Sequence, residues 1–437
     1  MALFVQKYGG SSVADAACMR RVASRIRAIR DAGNDVVVVV SAMGDTTDEL
    51  IALARSVNPD PDEREMDSLL ATGEMASSAI LTMALQAIGV PAISMTGRQA
   101  GIRVDNRHLK AKIRSIHPER IRQHLREGKV VVVAGFQGIN TKSDVATLGR
   151  GGSDTTAVAI AAALAADRCQ ILKDVDGVFS ADPRIAPDAV MHERITYDEM
   201  LELAACGAGV LQSRAVEYAK NYGVVLEVMS SFEEKPGTLI VKETDDMEQV
   251  IFRGIASDKN QAKFTVLGVP DRPGVAAGLF KELAAANVNV DIIVQNMSEQ
   301  GRTDISFTVP LDEAKKARAV LSPLVPAIQA RDFHVDEAIA KVSIVGVGMK
   351  SHSGVAYKMF DVLATEKVNI EMITTSEIRI SVVIRQKDAA RAVKALHAAF
   401  LNASAPEKAP AAAAQKPVKQ KVAAKAAPAA KKPAKKK

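Results

Sequence analysis

Two glycine-rich turns carry the residues with the clearest capacity for chemistry. In the first, FVQKYGGSS over Phe4–Ser12, an apolar run ends in Lys7 and Tyr8, and Gly9 and Gly10 precede two serines. A mobile ammonium group beside backbone N–H donors that no Cβ shields is what a transferring phosphoryl group requires. In the second, TLGRGGSDTTAVAIAAAL over Thr147–Leu164, Gly149, Gly151 and Gly152 lead into an apolar segment with helical spacing. Ser153, Asp154, Thr155 and Thr156 stand at its start, where free N–H groups and the positive end of the helix dipole favour an anion. Neither turn follows the GxxxxGK(S/T) phosphate loop, and each alone also reads as an ordinary capped connection with a surface lysine. Two of them in one chain, both at strand-to-helix junctions, weigh against that plainer reading.

The elements that must position these turns alternate. Over residues 1–245, strand-like runs at Leu3–Gln6, Val36–Ser41, Ala92–Met95, Val130–Ala134, Gln170–Lys173 and Val224–Val228 are separated by helical patterns. This is the pattern of an α/β domain with a mostly parallel sheet sandwiched by helices. The unbroken valines at 36–40 and 130–133 predict strands buried on both faces. Ligands of such sheets gather at the carboxyl ends of strands, where Lys7 and Ser41 both fall. SAMGDTTDEL, from Ser41, adds the hydroxyls of Thr46 and Thr47, and Glu74 lies near the start of another amphipathic segment. LKDVDGVFSADPRI, over Leu172–Ile185, leaves a strand for an Asp-, Gly- and Pro-rich turn.

The pattern changes after Thr244. Strand Lys263–Val269, helix Gly274–Ala286, strands Val290–Gln295 and Thr303–Val309, helix Asp312–Leu324 and strand Ala327–Phe333 spell βαββαβ. A second copy follows with strand Lys341–Val347, helix Gly354–Lys367, strands Asn369–Thr374 and Ile378–Arg385, and helix Asp388–Leu401. It has no closing strand, and an open sheet edge is a liability. The spare strand QVIFRGIA, Gln249–Ala256, precedes the first copy, so the first copy is expected to be inserted into the second. VPDRPGVAAGLF and GMKSHSGVAYKMF are equivalent turns, with Pro273 and Gly274 leading one helix and Ser353 and Gly354 the other.

Composition excludes several classes. The 437 residues are 48% hydrophobic and 25% charged, as in a folded multidomain protein, and no apolar run approaches a membrane span. Cys18, Cys169 and Cys206 are isolated, without metal-ligand or disulfide spacing, and the N-terminus enters a strand with no signal pattern. A reducing, cytoplasmic setting is the expectation. The net charge of +6 is misleading, because ten lysines and one glutamate fall in Ala403–Lys437 and leave a mildly acidic body. That Ala-, Lys- and Pro-rich tail is expected to be disordered. It reads first as a solvated tail and only second as a nucleic acid contact.

KYGGSS at 7–12, VVVVSAMGDTTDEL at 37–50, GFQGIN at 135–140, TLGRGGSDTTA at 147–157 and DVDGVFSADPRI at 174–185 together resemble the aspartate kinase family. Several separated motifs in the right order carry this resemblance over residues 2–402. It implies an amino acid kinase fold (carbamate kinase-like) over 1–245 and two ACT domains, one over 262–337 and one over 249–258 plus 338–402. It also implies ATP as phosphoryl donor and L-aspartate as acceptor, with Mg²⁺ expected on the phosphates on chemical grounds.

Residue roles follow from the same resemblance. Lys7, Tyr8, Gly9 and Gly10 would meet the nucleotide, as would Lys173, Asp174, Phe179, Arg184 and Lys235. Relatives commonly carry tyrosine at the position of Phe179 and lysine at that of Gly209. Ser41, Thr47, Glu74, Arg150 and Ser153 would hold aspartate, with Glu74 on the ammonium group and Arg150 on the α-carboxylate. Asp154 cannot sensibly bind another carboxylate, so charge assigns it to orienting Lys7. An amino acid effector, lysine, threonine or both, would meet Asp271, Gly274, Val275, Asn289, Val290, Asp291 and Gln295 in one repeat. In the other it would meet Val355, Ala356, Asn369, Ile370, Ser376 and Glu377. Assembly through the ACT domains is expected, either as a homo-oligomer or with a separate small subunit begun near Met247. Two alternatives stay open: a related kinase acting on another small carboxylate, and a catalytically silent amino acid sensor.

Overall fold

The computed structural model describes residues 1–242, 252–296, 300–346 and 354–401. An eight-stranded sheet forms the frame of the first half. Its strands run in the order Arg194–Thr196, Thr238–Val241, Leu226–Ser230, Arg168–Lys173, Leu3–Tyr8, Asp35–Val40, Val130–Ala134 and Ala92–Met95. The last six are mutually parallel; Thr238–Val241 pairs antiparallel with Leu226–Ser230, and Arg194–Thr196 pairs parallel with Thr238–Val241 at the edge.

The valine runs behave as their composition demands. Val37 and Val39 enter one core with Val131 and Val133, beneath helices Gly152–Leu164 and Ser213–Tyr222. Val36, Val38 and Val40 enter the opposite core with Val130 and Val132. There they meet Met19, Val22 and Ile26 of helix Ala16–Asp31 and Leu81 and Leu85 of helix Glu63–Ala87. Period-two alternation thus fills both layers of the sandwich. Helix Glu63–Ala87 is long and apolar enough, by length and composition, to cross a membrane. Here half of its apolar window is buried against the sheet, and it delivers Asp67 and Glu74 to the interior.

The second half contains two four-stranded antiparallel sheets. One has the order Ile293–Gln295, Arg302–Pro310, Gln261–Pro270, Asp332–Asp336. The other has Gly254–Asp258, Ile339–Val345, Arg379–Arg385, Met372–Thr375. Gly254–Asp258 pairs antiparallel with Ile339–Val345, so a strand that precedes the first module completes the sheet of the second. Residues 249–251 of that expected strand, Val347, Ser353, Met247 and the 403–437 tail lie outside the described residues. The repeat shows in the backbone itself. Gly274 and Gly354 are the left-handed N-caps of helices Val275–Ala285 and Val355–Thr365, at φ 94° and 97°. Asn287 and Lys367 follow those helices, both at φ 55°.

Several boundaries differ from expectation. Glu74 lies in the middle of helix Glu63–Ala87 rather than near a helix start, because the capped start is at Asp62, and the strands expected from Val290 and Asn369 begin at Ile293 and Met372. The helix expected to end at Leu324 runs over Ala314–Ala327, through Pro323 and Pro326, and the final strand moves to Asp332–Asp336. The buried stripe Ala314, Ala317, Leu321, Val325 explains it, because the helical period of core contacts continues past the prolines.

The two halves are joined by a buried ion pair. Arg253, just before the completing strand, places Nε 2.6 Å from Oε1 of Glu199, whose other oxygen accepts from the N–H and hydroxyl of Thr196. Removing one partner of such a pair strands a charge in the interior. Arg253→Ala is therefore expected to lower unfolding stability by about 3–5 kcal/mol, read by chemical denaturation.

Candidate active site

Lys7 stands one residue before the end of its strand at the carboxyl edge of the sheet, beside the neighbouring strand that ends in Lys173. Between them stands Asp154, in the first turn of helix Gly152–Leu164, where the dipole favours a carboxylate. Lys7 Nζ lies 2.7 Å from Asp154 Oδ1, and Lys173 Nζ lies 3.4 Å from Oδ2. All three side chains are largely withdrawn from water. Burial alone would raise the Asp154 pKa, but the two ammonium groups outweigh it and hold the carboxyl below its ordinary range. Burial in turn lowers the Lys173 pKa, against the pull of Asp154. The cluster carries two positive charges for one negative, so a net positive charge faces the cleft.

That cleft has a volume of about 360 Å³ and brings together Lys7, Gly10, Ser41, Thr47, Glu74, Arg150, Ser153, Asp154 and Lys173. Two close backbone approaches make it possible. A Cβ on Gly10 would stand 2.9 Å from the Gly44 carbonyl oxygen, so only glycine lets the first turn meet the Ser41–Gly44 loop. A Cβ on Gly73 would stand 2.8 Å from that of Ala42, so the helix can lie close enough for Glu74 to reach the same loop. Glu74 Oε1 accepts from the Ala42 N–H at 3.2 Å, whereas Oε2 is buried with no hydrogen bond among the described residues. Burial pushes the Glu74 carboxyl up to about 7, opposed by its backbone hydrogen bonds and the Lys7 charge. A buried, half-satisfied carboxylate in a cleft is poised to receive a cation.

Arg150 is different in kind. Its guanidinium is 77% exposed and pairs at 3.7 Å with Asp312, which belongs to the second half of the chain. The adjoining Glu313 accepts from Lys110 Nζ at 3.0 Å and from the backbone and side chain of Asn289 at 2.6 and 3.1 Å.

The remaining expected residues are not all drawn in. Tyr8 is fully buried in the core and donates its hydroxyl to Gln6 Oε1 at 3.2 Å, so only its backbone can serve a ligand. Asp174, Phe179, Arg184 and Lys235 do not line the cleft. Arg184 is engaged with both carboxylate oxygens of Asp182, Lys235 pairs with Glu233, and Phe179 bridges to Met191 through its backbone. The 230–236 loop still adjoins the first glycine turn, because Ser12 Oγ donates to Ser231 Oγ at 2.8 Å. Gly209 has open space where a side chain would project. Of the expected effector contacts, Asp291 is already paired with the buried ammonium of Lys341 and Asn289 with Glu313.

Ala42, Gly44, Phe136 and Gln212 also line the cleft, although sequence reasoning gave them no role. Phe136 has φ 67°, and its neighbour Gly135 has no room for a Cβ, which would lie 2.8 Å from Ser153 Oγ. The glycines of GFQG were the available signal. Gln212 presses on Gly151, and nothing local in the sequence announces it.

A model of the amino acid kinase family matches residues 2–230, and an ACT domain model matches 265–323 and 342–400. An aspartokinase of Mycolicibacterium smegmatis is 53% identical over 405 residues, covering 92% of this chain and 96% of that one. An aspartokinase of Corynebacterium efficiens is 52% identical over the same length and coverage. The chain belongs to the aspartokinase branch of the amino acid kinase family. Among solved structures, E. coli aspartokinase III in complex with aspartate and ADP (R-state) superposes with a TM-score of 0.80 at 27% identity. That match covers 91% of this chain and 100% of the other.

The second glycine turn offers a direct check of this geometry. Gly151 has φ 68°, and a Cβ there would lie 1.9 Å from Gln212 Cγ. Gly151→Ala is expected to cost about 1–2 kcal/mol from the left-handed backbone alone, and more from the clash, measured by thermal and chemical unfolding.

Proposed function

We infer that this chain transfers the γ-phosphoryl group of ATP to the β-carboxylate of L-aspartate. The observation that carries the reading is the placement of an unsatisfied Glu74 oxygen, an exposed Arg150 held only by its weak pair with Asp312, and the Lys7–Asp154–Lys173 cluster in one cleft. Glu74 and Arg150 supply opposite charges for an α-amino acid's ammonium and carboxylate. Thr47 and Ser153 add hydroxyls beside them, and Ser41 lies at the mouth of the same loop. The side chain of the bound amino acid then points toward the lysines, where phosphoryl charge would collect.

A carboxylate is a competent nucleophile at neutral pH, so alignment and charge neutralisation do the work and no general base is required. One β-carboxylate oxygen bonds to the γ-phosphorus as the bond to the β,γ-bridging oxygen breaks, giving 4-phospho-L-aspartate and ADP. Lys7 neutralises the equatorial oxygens, Asp154 fixes its direction, and Lys173 holds the leaving phosphates. The first glycine turn approaches the phosphates through Gly10, since the Gly9 N–H already donates to the Leu172 carbonyl at 3.4 Å, while Asp174, Phe179, Arg184 and Lys235 flank the nucleotide beyond the cleft. Asp154 is occupied by two lysines, and no cluster of three metal-ligand side chains occurs among the described residues. Those residues fit a Mg²⁺ held chiefly by phosphates and water, which would offset phosphate charge.

The ACT modules are read as amino acid sensors, with E. coli aspartokinase III in complex with lysine and aspartate (T-state) as a relative of this design at 27% identity and a TM-score of 0.69. Lysine, threonine or both are the proposed effectors, bound about Asp271, Gly274, Val275, Asn289, Val290 and Gln295 and at the matching Val355, Ala356, Asn369, Ile370, Ser376 and Glu377. The route to the cleft is short: Asn289 touches Glu313, and Asp312 next to it holds the substrate-binding arginine. An effector acts by favouring one arrangement of that route over another.

An ATP-dependent hydroxamate assay tests the whole reading. Aspartyl hydroxamate should form, no product should form with glutamate, and the aspartyl product should fall when lysine plus threonine is added; no product with aspartate overturns it. Only ionised Glu74 can pair with ammonium, so KM for aspartate should fall as pH rises through about 7 and then level off. Glu74→Gln should raise that KM and flatten its pH dependence. Asp312 and the α-carboxylate compete for one guanidinium, so Asp312→Ala should lower KM for aspartate about two- to five-fold, the weight of an exposed ion pair, and blunt effector inhibition.

A further inference from the structure

Asp67 is fully buried, lies outside the cleft lining and has no part in the chemistry described so far. An ionised carboxylate in a core is costly unless every lone pair is used. Here four donors converge on it: His108 Nδ1 at 2.6 Å, the Leu109 N–H at 3.1 Å, the Thr147 N–H at 3.0 Å and the Thr147 hydroxyl at 2.5 Å. Because the carboxylate only accepts, His108 carries its proton on Nδ1.

All four donors come from two short segments, and both support the second glycine turn. Thr147 begins it, three residues before Arg150. Leu109 is held at φ 60°, a conformation rare for its residue type, and its carbonyl oxygen lies 2.9 Å from where a Gly149 Cβ would be. The turn is fastened on its other side by Arg214, which donates to the carbonyls of Leu148 and Ala111 at 2.9 and 2.8 Å. Asp67 is also seven residues from Glu74 on one helix, two turns away and on the same face.

We propose that Asp67 is a positioning residue that fixes the separation between Glu74 and Arg150, and so the spacing at which ammonium and α-carboxylate are read. One rigid helix presents Glu74 to the ligand and, two turns earlier, grips the strip from which Arg150 projects. The pair cannot drift apart while Asp67 holds Thr147. This rests on the aspartate kinase reading.

The test is steady-state kinetics of the full chain with the Asp67→Asn, Thr147→Val and Thr147→Ser variants, both substrates varied. The amide introduced by Asp67→Asn would turn an N–H toward the converging donors, so this variant should raise KM for aspartate at least ten-fold while KM for ATP stays within two-fold. Thr147→Val removes a single bond and keeps the fold testable should Asp67→Asn not fold; a three- to ten-fold rise in KM for aspartate alone is expected. Thr147→Ser retains the hydroxyl and should behave as wild type. Equal shifts in both KM values, or a lowered melting temperature with KM for aspartate unchanged in Thr147→Val, overturns the proposal. Wild-type protein that makes no aspartyl phosphate overturns instead the kinase reading beneath it.

Discussion

The attraction of two lysines for one buried aspartate sets the terms for the rest of the catalytic half. Lys7 and Lys173 come from adjacent parallel strands, and Asp154 from the helix that packs across them. Withdrawn from water, none of the three is comfortable alone; together they leave one surplus positive charge at the carboxyl edge of the sheet. Several of the backbone approaches around this point leave no room for a side chain. Gly10, Gly73, Gly135 and Gly151 accordingly stand where the loops converge, each at a spot where a Cβ would meet a neighbour within 2.9 Å.

The legible part of this arrangement was the part written in local chemistry. Lys7 precedes paired glycines, Arg150 lies within a glycine turn, and the valine runs announce strands buried on both faces. The missing strand of the last module was legible as well, because an incomplete sheet demands a partner and only one spare strand preceded it. Gln212 and Asp67 were not, since each gains its meaning from a contact far along the chain. Asp67 and Thr147 are 80 residues apart, and nothing about an aspartate inside a helix says what it will hold. Tyr8 shows the converse: it sits inside a motif, yet its strand position turns the ring into the core. The helix that continues through Pro323 and Pro326 shows core packing overriding a local stop signal.

The second half of the chain reaches the surroundings of the cleft through Asp312 and Glu313. Glu313 collects Lys110 from the catalytic half and Asn289 from its own module, while Asp312 reaches Arg150. A second junction runs from Ser180, whose hydroxyl bonds buried His397 at 2.8 Å and whose carbonyl accepts from Ile255 at 2.8 Å. The first junction touches the proposed amino acid side of the cleft. The second touches the segment that leaves Lys173 toward the proposed nucleotide flank. Exposed pairs such as Arg150–Asp312 are weak, and weakness suits a contact that a ligand must be able to replace.

The discontinuous second module also governs the order in which the chain can fold during synthesis. Its strand Gly254–Asp258 emerges from the ribosome first but cannot pair until Ile339–Val345 has been made. The intervening module has all of its own strands in one continuous stretch and can close in the meantime. Until then the early strand has only the finished catalytic half to lean on, through the Ile255–Ser180 hydrogen bond and the neighbouring Arg253–Glu199 pair. The catalytic half thus acts as a template on which the last-made domain is assembled.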